Sequence, residues 1–215
     1  AQEEDDKTGL SRCYNIMSQI YTVKRLDSMA FEWQLKEIEL TEKYDLENYN
    51  ISQTYSQISS YYINTNQPEK ALEALKKADA TAYSPTQKIS VQLEYVNYYS
   101  KFGDMQAAEK ILNECKTAFD QDKRLWSIKK RLYNIEYVYY LQSKQYPKAL
   151  EAAKKQEAEE LNLSESIQNS VHYLTKGKIY SNMGNMSEAI KYLQMYIEAE
   201  DSLKIANEQM ASSEF

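Results

Sequence analysis

Residues 173–201 read YLTKGKIYSNMGNMSEAIKYLQMYIEAED, and this stretch decides the fold. Large and small side chains recur at spacings of three and four, as in Ile179 and Met183, with no sustained alternation, so each half reads as a helix. Asn-Met-Gly-Asn interrupts them: Gly184 suits a helix stop and Asn185 a helix start. Ala189 lies early in the restarted helix, where a methyl group lets two backbones approach closely, and Tyr180, nine residues earlier, fills space between the paired helices.

The same frame runs outward through the chain. Alanines stand at 30, 71, 108 and 149 as well, at gaps of 41, 37, 41 and 40 residues, and Tyr21, Tyr62, Tyr99 and Tyr140 keep the nine-residue lead. The intervening turns read NTNQP, KFGD and SKQYP, each with proline or glycine. Ser84, Pro85 and Gln87 make a capping box with proline at the first helical position, and Asp104 is a good N-cap. A period of a few dozen residues means stacked units, each burying its apolar face against its neighbours. The expectation is an all-α chain of about five helical hairpins.

The pattern resembles the tetratricopeptide repeat (TPR). Tyr173, Gly177, Tyr180, Ala189 and Leu193 fall on that family's aromatic, small and large positions, and Tyr55, Ser59, Tyr62, Ala71, Leu75 and Ala78 match almost as well. The resemblance implies a right-handed superhelical solenoid over residues 10–203, treated as a single domain, with 1–9 as a disordered or extended N-terminus and 204–215 as a helical extension leading into a longer protein. The family period is about 34 residues, so the longer gaps here predict helices that gain a turn.

Composition sets limits on function. With 26 basic and 32 acidic residues the net charge is -6, which gives no general attraction to nucleic acid or anionic membranes. No apolar run reaches the roughly 20 residues that span a bilayer. The opening AQEEDD lacks methionine and fits either a processed secretory product or a segment cut for expression. Chemistry is sparse. His172 is the single histidine, the cysteines are Cys13 and Cys115, no glycine-rich phosphate loop occurs, and three Cys and His residues so dispersed make no metal site. No catalysis, cofactor or metal is expected, and stacking separates Cys13 from Cys115 by more than a disulfide spans, so both thiols are expected free. The twenty tyrosines read as packing between helices rather than as a recognition surface. The basic run Lys123, Arg124, Lys129, Lys130 and Arg131 reads as a solvated helix face.

In TPR proteins the first helix of each hairpin lines a concave groove. Carried over position by position, the resemblance places Arg12, Asn15, Gln19, Gln53, Asn64, Asn97, Lys101, Arg131, Asn134, Gln142, Lys178 and Asn182 there, among others such as Thr22, Ser60 and Leu93. None of the 25 positions is acidic, where an even spread of acids would place about four. Amides, hydroxyls and spaced cations suit the backbone and carboxylates of an extended peptide. The lysine and asparagine clamp that some TPR domains use on a terminal carboxylate is not matched, since Asn15, Ser56, Leu93, Asn134 and Leu174 occupy its first lysine position.

The reading is a non-catalytic protein- or peptide-binding scaffold whose partner carries acidic groups. The final helix resembles the point where bacterial sensor proteins pass from an extracytoplasmic TPR region toward a membrane segment. That resemblance implies the sensory region of a bacterial signalling protein, in the periplasm, with a cytoplasmic location as the alternative. The alternative function is a freestanding scaffold that assembles as a homo-oligomer.

Overall fold

The computed structural model describes residues 2–46, 48–160 and 165–213, and the side chains of 6–46, 48–159, 170–202 and 204–205. Ten α-helices carry the described residues: α1 (Gln2–Val23), α2 (Asp27–Tyr44), α3 (Ile51–Asn64), α4 (Pro68–Thr81), α5 (Pro85–Phe102), α6 (Met105–Gln121), α7 (Lys129–Gln142), α8 (Tyr146–Glu160), α9 (Glu165–Asn182) and α10 (Met186–Ser213). They pair in sequence as five hairpins, with a 3₁₀ segment at Lys123–Ile128.

All five hairpins turn through a left-handed residue at one position. The residue five positions before each repeat alanine is left-handed: Arg25 at φ 57°, Asn66 at 60°, Gly103 at 102°, Lys144 at 59° and Gly184 at 75°. The carbonyl of each recurring tyrosine accepts the bond that closes the turn, from Leu26 N–H to Tyr21 at 2.9 Å, Gln67 to Tyr62 at 2.9 Å, Gln145 to Tyr140 at 2.8 Å and Asn185 to Tyr180 at 3.0 Å. These are Schellman closures, which satisfy carbonyls left over at a helix end. The third turn uses the simpler αL form, Gly103 N–H to Tyr99 O at 2.9 Å. The alanine N–H then makes an early bond of the second helix, as Ala71 does to Gln67 O at 3.0 Å and Ala189 to Asn185 O at 3.0 Å. Ser84 caps α5 through the expected box with Gln87, and Asp104 caps α6 at the Ala107 N–H.

Every repeat alanine is buried. The chain divides into two compact units, residues 1–125 and 126–215. In the first unit α3 packs on α4 and α5, α2 packs on α3, and Ile38, Tyr55, Ile58, Leu75, Ala78 and Val91 form one core. In the second, α8 packs on α7 and α9, and Ala149, Ala153 and Ile179 are buried beneath Tyr137, Tyr140 and Leu150. Gly177 of α9 lets α10 in close: a Cβ there would stand 2.9 Å from the Leu193 side chain.

The structure refines two local expectations. Residues 2–9 lie in α1, where a disordered or extended N-terminus was expected. The long period does not come from uniformly longer helices. From the start of α3 to the start of α5 the chain keeps the 34-residue family period, with α3 and α4 at 14 residues each, and α7 is also 14 residues. The extra length lies partly in helices that gain a turn, as expected, α2, α5 and α9 at 18 residues and α6 at 17, and partly in the connections at 45–50 and 122–128.

Candidate protein-binding site

Most tyrosine rings go into helix packing. Phe31 of α2 stacks on Tyr61 of α3 at 4.0 Å between centroids and meets Tyr62 edge-on at 5.3 Å. Tyr180 stacks on Tyr192 across the last hairpin at 5.5 Å. Lys70 and Lys148, each just before a repeat alanine, lie 5.5 Å from the ring centres of Tyr62 and Tyr140. Tyr55 donates to Glu42 at 2.5 Å, and Lys77 reaches the same carboxylate oxygen at 3.0 Å. Burial, reinforced by Glu42, pushes the Tyr55 phenol above its usual range, while the hydrogen bond from Tyr55, then Lys77, holds Glu42 below the usual carboxylate range.

The sequence-predicted site residues divide between the units. In the first, Arg12, Gln19, Gln53, Asn64 and Lys101 are exposed, and Asn15 and Asn97 are half-buried. In the second, Asn134, Gln142, Lys178 and Asn182 are exposed and Arg131 is half-buried. Asn182 turns back on its own helix, donating to Lys178 O at 2.8 Å. Several other groove positions, among them Ser56, Ile63 and Leu93, are buried between helices and present no side chain to a ligand.

The structure brings some of the set together in the first unit. A cleft of about 400 Å³ collects Thr22 of α1, Asp27, Ser28, Ala30 and Gln34 of α2, and Gln57, Ser60, Tyr61 and Asn64 of α3, with Thr65 at its edge. Gln34 donates to Gln57 at 3.2 Å, which fixes one amide in the wall. A second cleft, about 360 Å³, places Arg12 and Asn15 beside Glu37, Asn48, Tyr49 and Asn50.

Two carboxylates were missed by the sequence reading. Glu94 of α5 is buried and accepts from Ser60 of α3 at 2.6 Å and from Asn97 at 2.9 Å, so two groove residues are tied to an acid. Glu37 of α2 is also buried; it accepts from Asn15 of α1 at 3.1 and 3.2 Å, Asn48 at 2.9 Å and Thr54 of α3 at 3.1 Å. A glutamate in an amphipathic helix reads as a solvated face. The signal that marks Glu94 is its amide partner three residues on, one helical turn away.

The remaining chemistry is structural. Both cysteines are free thiols; Cys115 is buried, its thiol pushed up to about 12 by burial and then Glu114, and it contacts Gln92 Oε1 at 3.7 Å. His172, on α9, is buried. The basic run is partly neutralised, by an Arg124–Asp122 fork with its shortest bond at 2.7 Å and by Lys129–Glu159 at 2.7 Å. Among the described residues no helix is long and apolar enough to cross a membrane.

Residues 22–155, more than half of the chain, match the family model described as 26S proteasome subunit RPN7. The chain belongs to the RPN7 family. Residues 173–202 of this RPN7-family chain match a tetratricopeptide repeat, as the last hairpin was read. Among solved structures, BtubC (BKLC) from P. vanneervenii is similar over 92% of this chain and 82% of its own, at 12% identity and a TM-score of 0.56. MamA aligns over 87% of this chain and 96% of its own, at 19% identity and a TM-score of 0.46. The first likeness shows a shared helical-repeat fold. No curated protein matches the RPN7-family chain. The fold is that of protein-interaction scaffolds, a class that is generally non-catalytic.

Proposed function

We propose that this RPN7-family chain binds an extended peptide or protein segment bearing carboxylates, without catalysis, as the sensory or interaction region of a bacterial signalling protein outside the cytoplasm. The observation that carries the binding step is the cleft where Thr22, Ser60 and Asn64 converge with Gln34 and Gln57. It offers hydroxyls and amides that can pair with both the N–H and C=O groups of a peptide backbone. Arg12 of α1 and Lys101 of α5, exposed on the first helices before and after α3, supply cations for its acidic side chains. The buried carboxylate of Glu94 sets a limit: acidic groups bind beside the cations rather than over the α3–α5 seam. The family's description, a subunit of a larger assembly, supports a role in holding proteins together.

Calorimetric titration with acidic peptides tests this. The variant Asn64→Asp with Lys101→Glu, both at exposed positions, is expected to bind at least about tenfold more weakly, since each change adds like charge against the ligand. Equal affinity for variant and parent would remove the groove. The signalling role is tested by reading the gene beyond Phe215: a membrane helix joined to a kinase or DNA-binding module supports it, and a stop codon favours the assembly scaffold. That second reading has its own observation, the apolar face of α1.

A further inference from the structure

The first and last helices of the chain each expose an apolar stripe. On α1, Gly9, Cys13, Ile16, Ile20 and Val23 recur at spacings of four, three, four and three, which keeps one seam on a single helix face. All five are exposed, Ile16 at 55% and Val23 at 69%. On α10, Met186, Ile190 and Ile197 form a similar stripe, the two isoleucines at 57% each. Contiguous exposed apolar side chains on a soluble surface mark a contact.

Charge decides the occupant. From Lys7 to Arg25 the chain carries four cations and no acid. Four acids precede them at 3–6, but two α1 helices laid antiparallel about Ile16 would set Lys7 opposite Arg25 and Arg12 opposite Ile20, with no acid facing any of the three. Along α10, Glu198, Glu200 and Asp201 follow the exposed isoleucines within a turn. The seven-residue step from Ile16 to Val23 equals that from Ile190 to Ile197. Laid antiparallel, Ile16 meets Ile197, Val23 meets Ile190, and Arg12 falls opposite Asp201.

We propose that α1 of one copy docks antiparallel on α10 of a second copy, with Ile16 and Val23 against Ile197 and Ile190 and Arg12 beside Asp201. The contact uses two different surfaces, so each added copy leaves one stripe open at either side. Association then continues with concentration instead of stopping at a dimer, unless rotation between copies closes a ring. The contact shares Arg12 with the proposed peptide site, so it is read at Ile16, Val23, Ile190 and Ile197, and it stands whether or not the cleft near Asn64 binds a peptide.

Sedimentation of the whole chain from about 1 µM to about 1 mM is expected to show average mass rising with concentration. Ile16→Asp and Val23→Asp, each at an exposed site, should raise the concentration for association more than about tenfold with unchanged helical content. Arg12→Glu and Asp201→Arg should each weaken it by up to about fivefold, and the two together should restore it. Orientation is read by cross-linking in a Cys13→Ser background. One chain carrying Ile16→Cys is mixed with another carrying Ile197→Cys, Cys115 being buried. Adducts between the two variants support the proposal; 16-to-16 or 197-to-197 adducts in their place overturn it. A chain that stays monomeric to about 1 mM overturns it too. So does one that remains monomeric while binding phosphatidylserine–phosphatidylcholine vesicles through α1.

Discussion

Two buried carboxylates of the first unit and a buried lysine of the second keep different company. In residues 1–125, Glu37 and Glu94 accept hydrogen bonds from asparagines, a serine and a threonine drawn from several helices. In residues 126–215, Lys176 of α9 is buried and reaches Glu157 of α8 at 2.6 Å, with the Tyr192 ring centre 5.4 Å away. Neutral donors are directional and fix the helices that carry them, whereas an ion pair tolerates movement and trades attraction against lost hydration. The first unit is therefore expected to depend on its acids, and the second to be nearly indifferent to its pair.

The sharpest test is Glu37→Ala. It strands the amides of Asn15 and Asn48 and the hydroxyl of Thr54, and is expected to cost about 3 kcal/mol in denaturant unfolding. A cost below about 1 kcal/mol would break the contrast. In the second unit shape should matter more than charge. Gly177→Ala drives a methyl against Leu193 and is expected to cost about 1–2 kcal/mol, visible as a lower unfolding midpoint. The turns give a paired test of opposite sign: Lys144→Gly should stabilise and Gly184→Ala should destabilise, each by about 1 kcal/mol. Equal signs would mean the left-handed residue is not what limits the turn. Lys176→Met combined with Glu157→Met, which removes the pair without stranding a charge, is expected to change stability by less than about 1 kcal/mol.

A pH titration probes a feature that the two units share. Burial, as the leading cause, raises Tyr55, Tyr95 and Tyr98 in the first unit and Tyr137 and Tyr180 in the second. A phenol whose folded pKa is raised adds stability below its unfolded value near 10, and that stability fades as pH climbs toward the folded value. Stability is thus expected to fall above pH 10, and Tyr55→Phe should blunt the loss. An unchanged alkaline limb in that variant would assign the loss elsewhere.

Much of this fold could be read without coordinates, since it rests on side chains that packing selects. Ala71, Ala108, Ala149 and Ala189 are all buried, as their place early in the second helix of each hairpin predicts. The turns were visible through Gly103, Gly184 and the prolines, but the left-handed Arg25 and Lys144 were not, because neither residue type announces that conformation. The division near residue 125 was hidden for a similar reason: the 3₁₀ segment KRLWSI carries no glycine or proline. At the candidate site, identities gave the amides and cations but not their partners. Asn15 and Asn97 look available in sequence, yet each serves a carboxylate whose burial depends on packing between helices. Ile63 and Leu93 fell on groove positions by alignment and turned inward because they are apolar.

The turn geometry also says where this chain can change length. Nine residues join each tyrosine carbonyl to its alanine, and the same left-handed step recurs inside that interval five times. Removing one residue there would swing the second helix by about 100° and point its alanine away from the neighbouring backbone. Evolution is left with the stretches that follow the second helices, and the six residues at 45–50 and the seven at 122–128 are longer than the three at 82–84. A reporter peptide spliced after Gln121 should leave all five bends intact, whereas the same insert after Asn66 should unravel its hairpin.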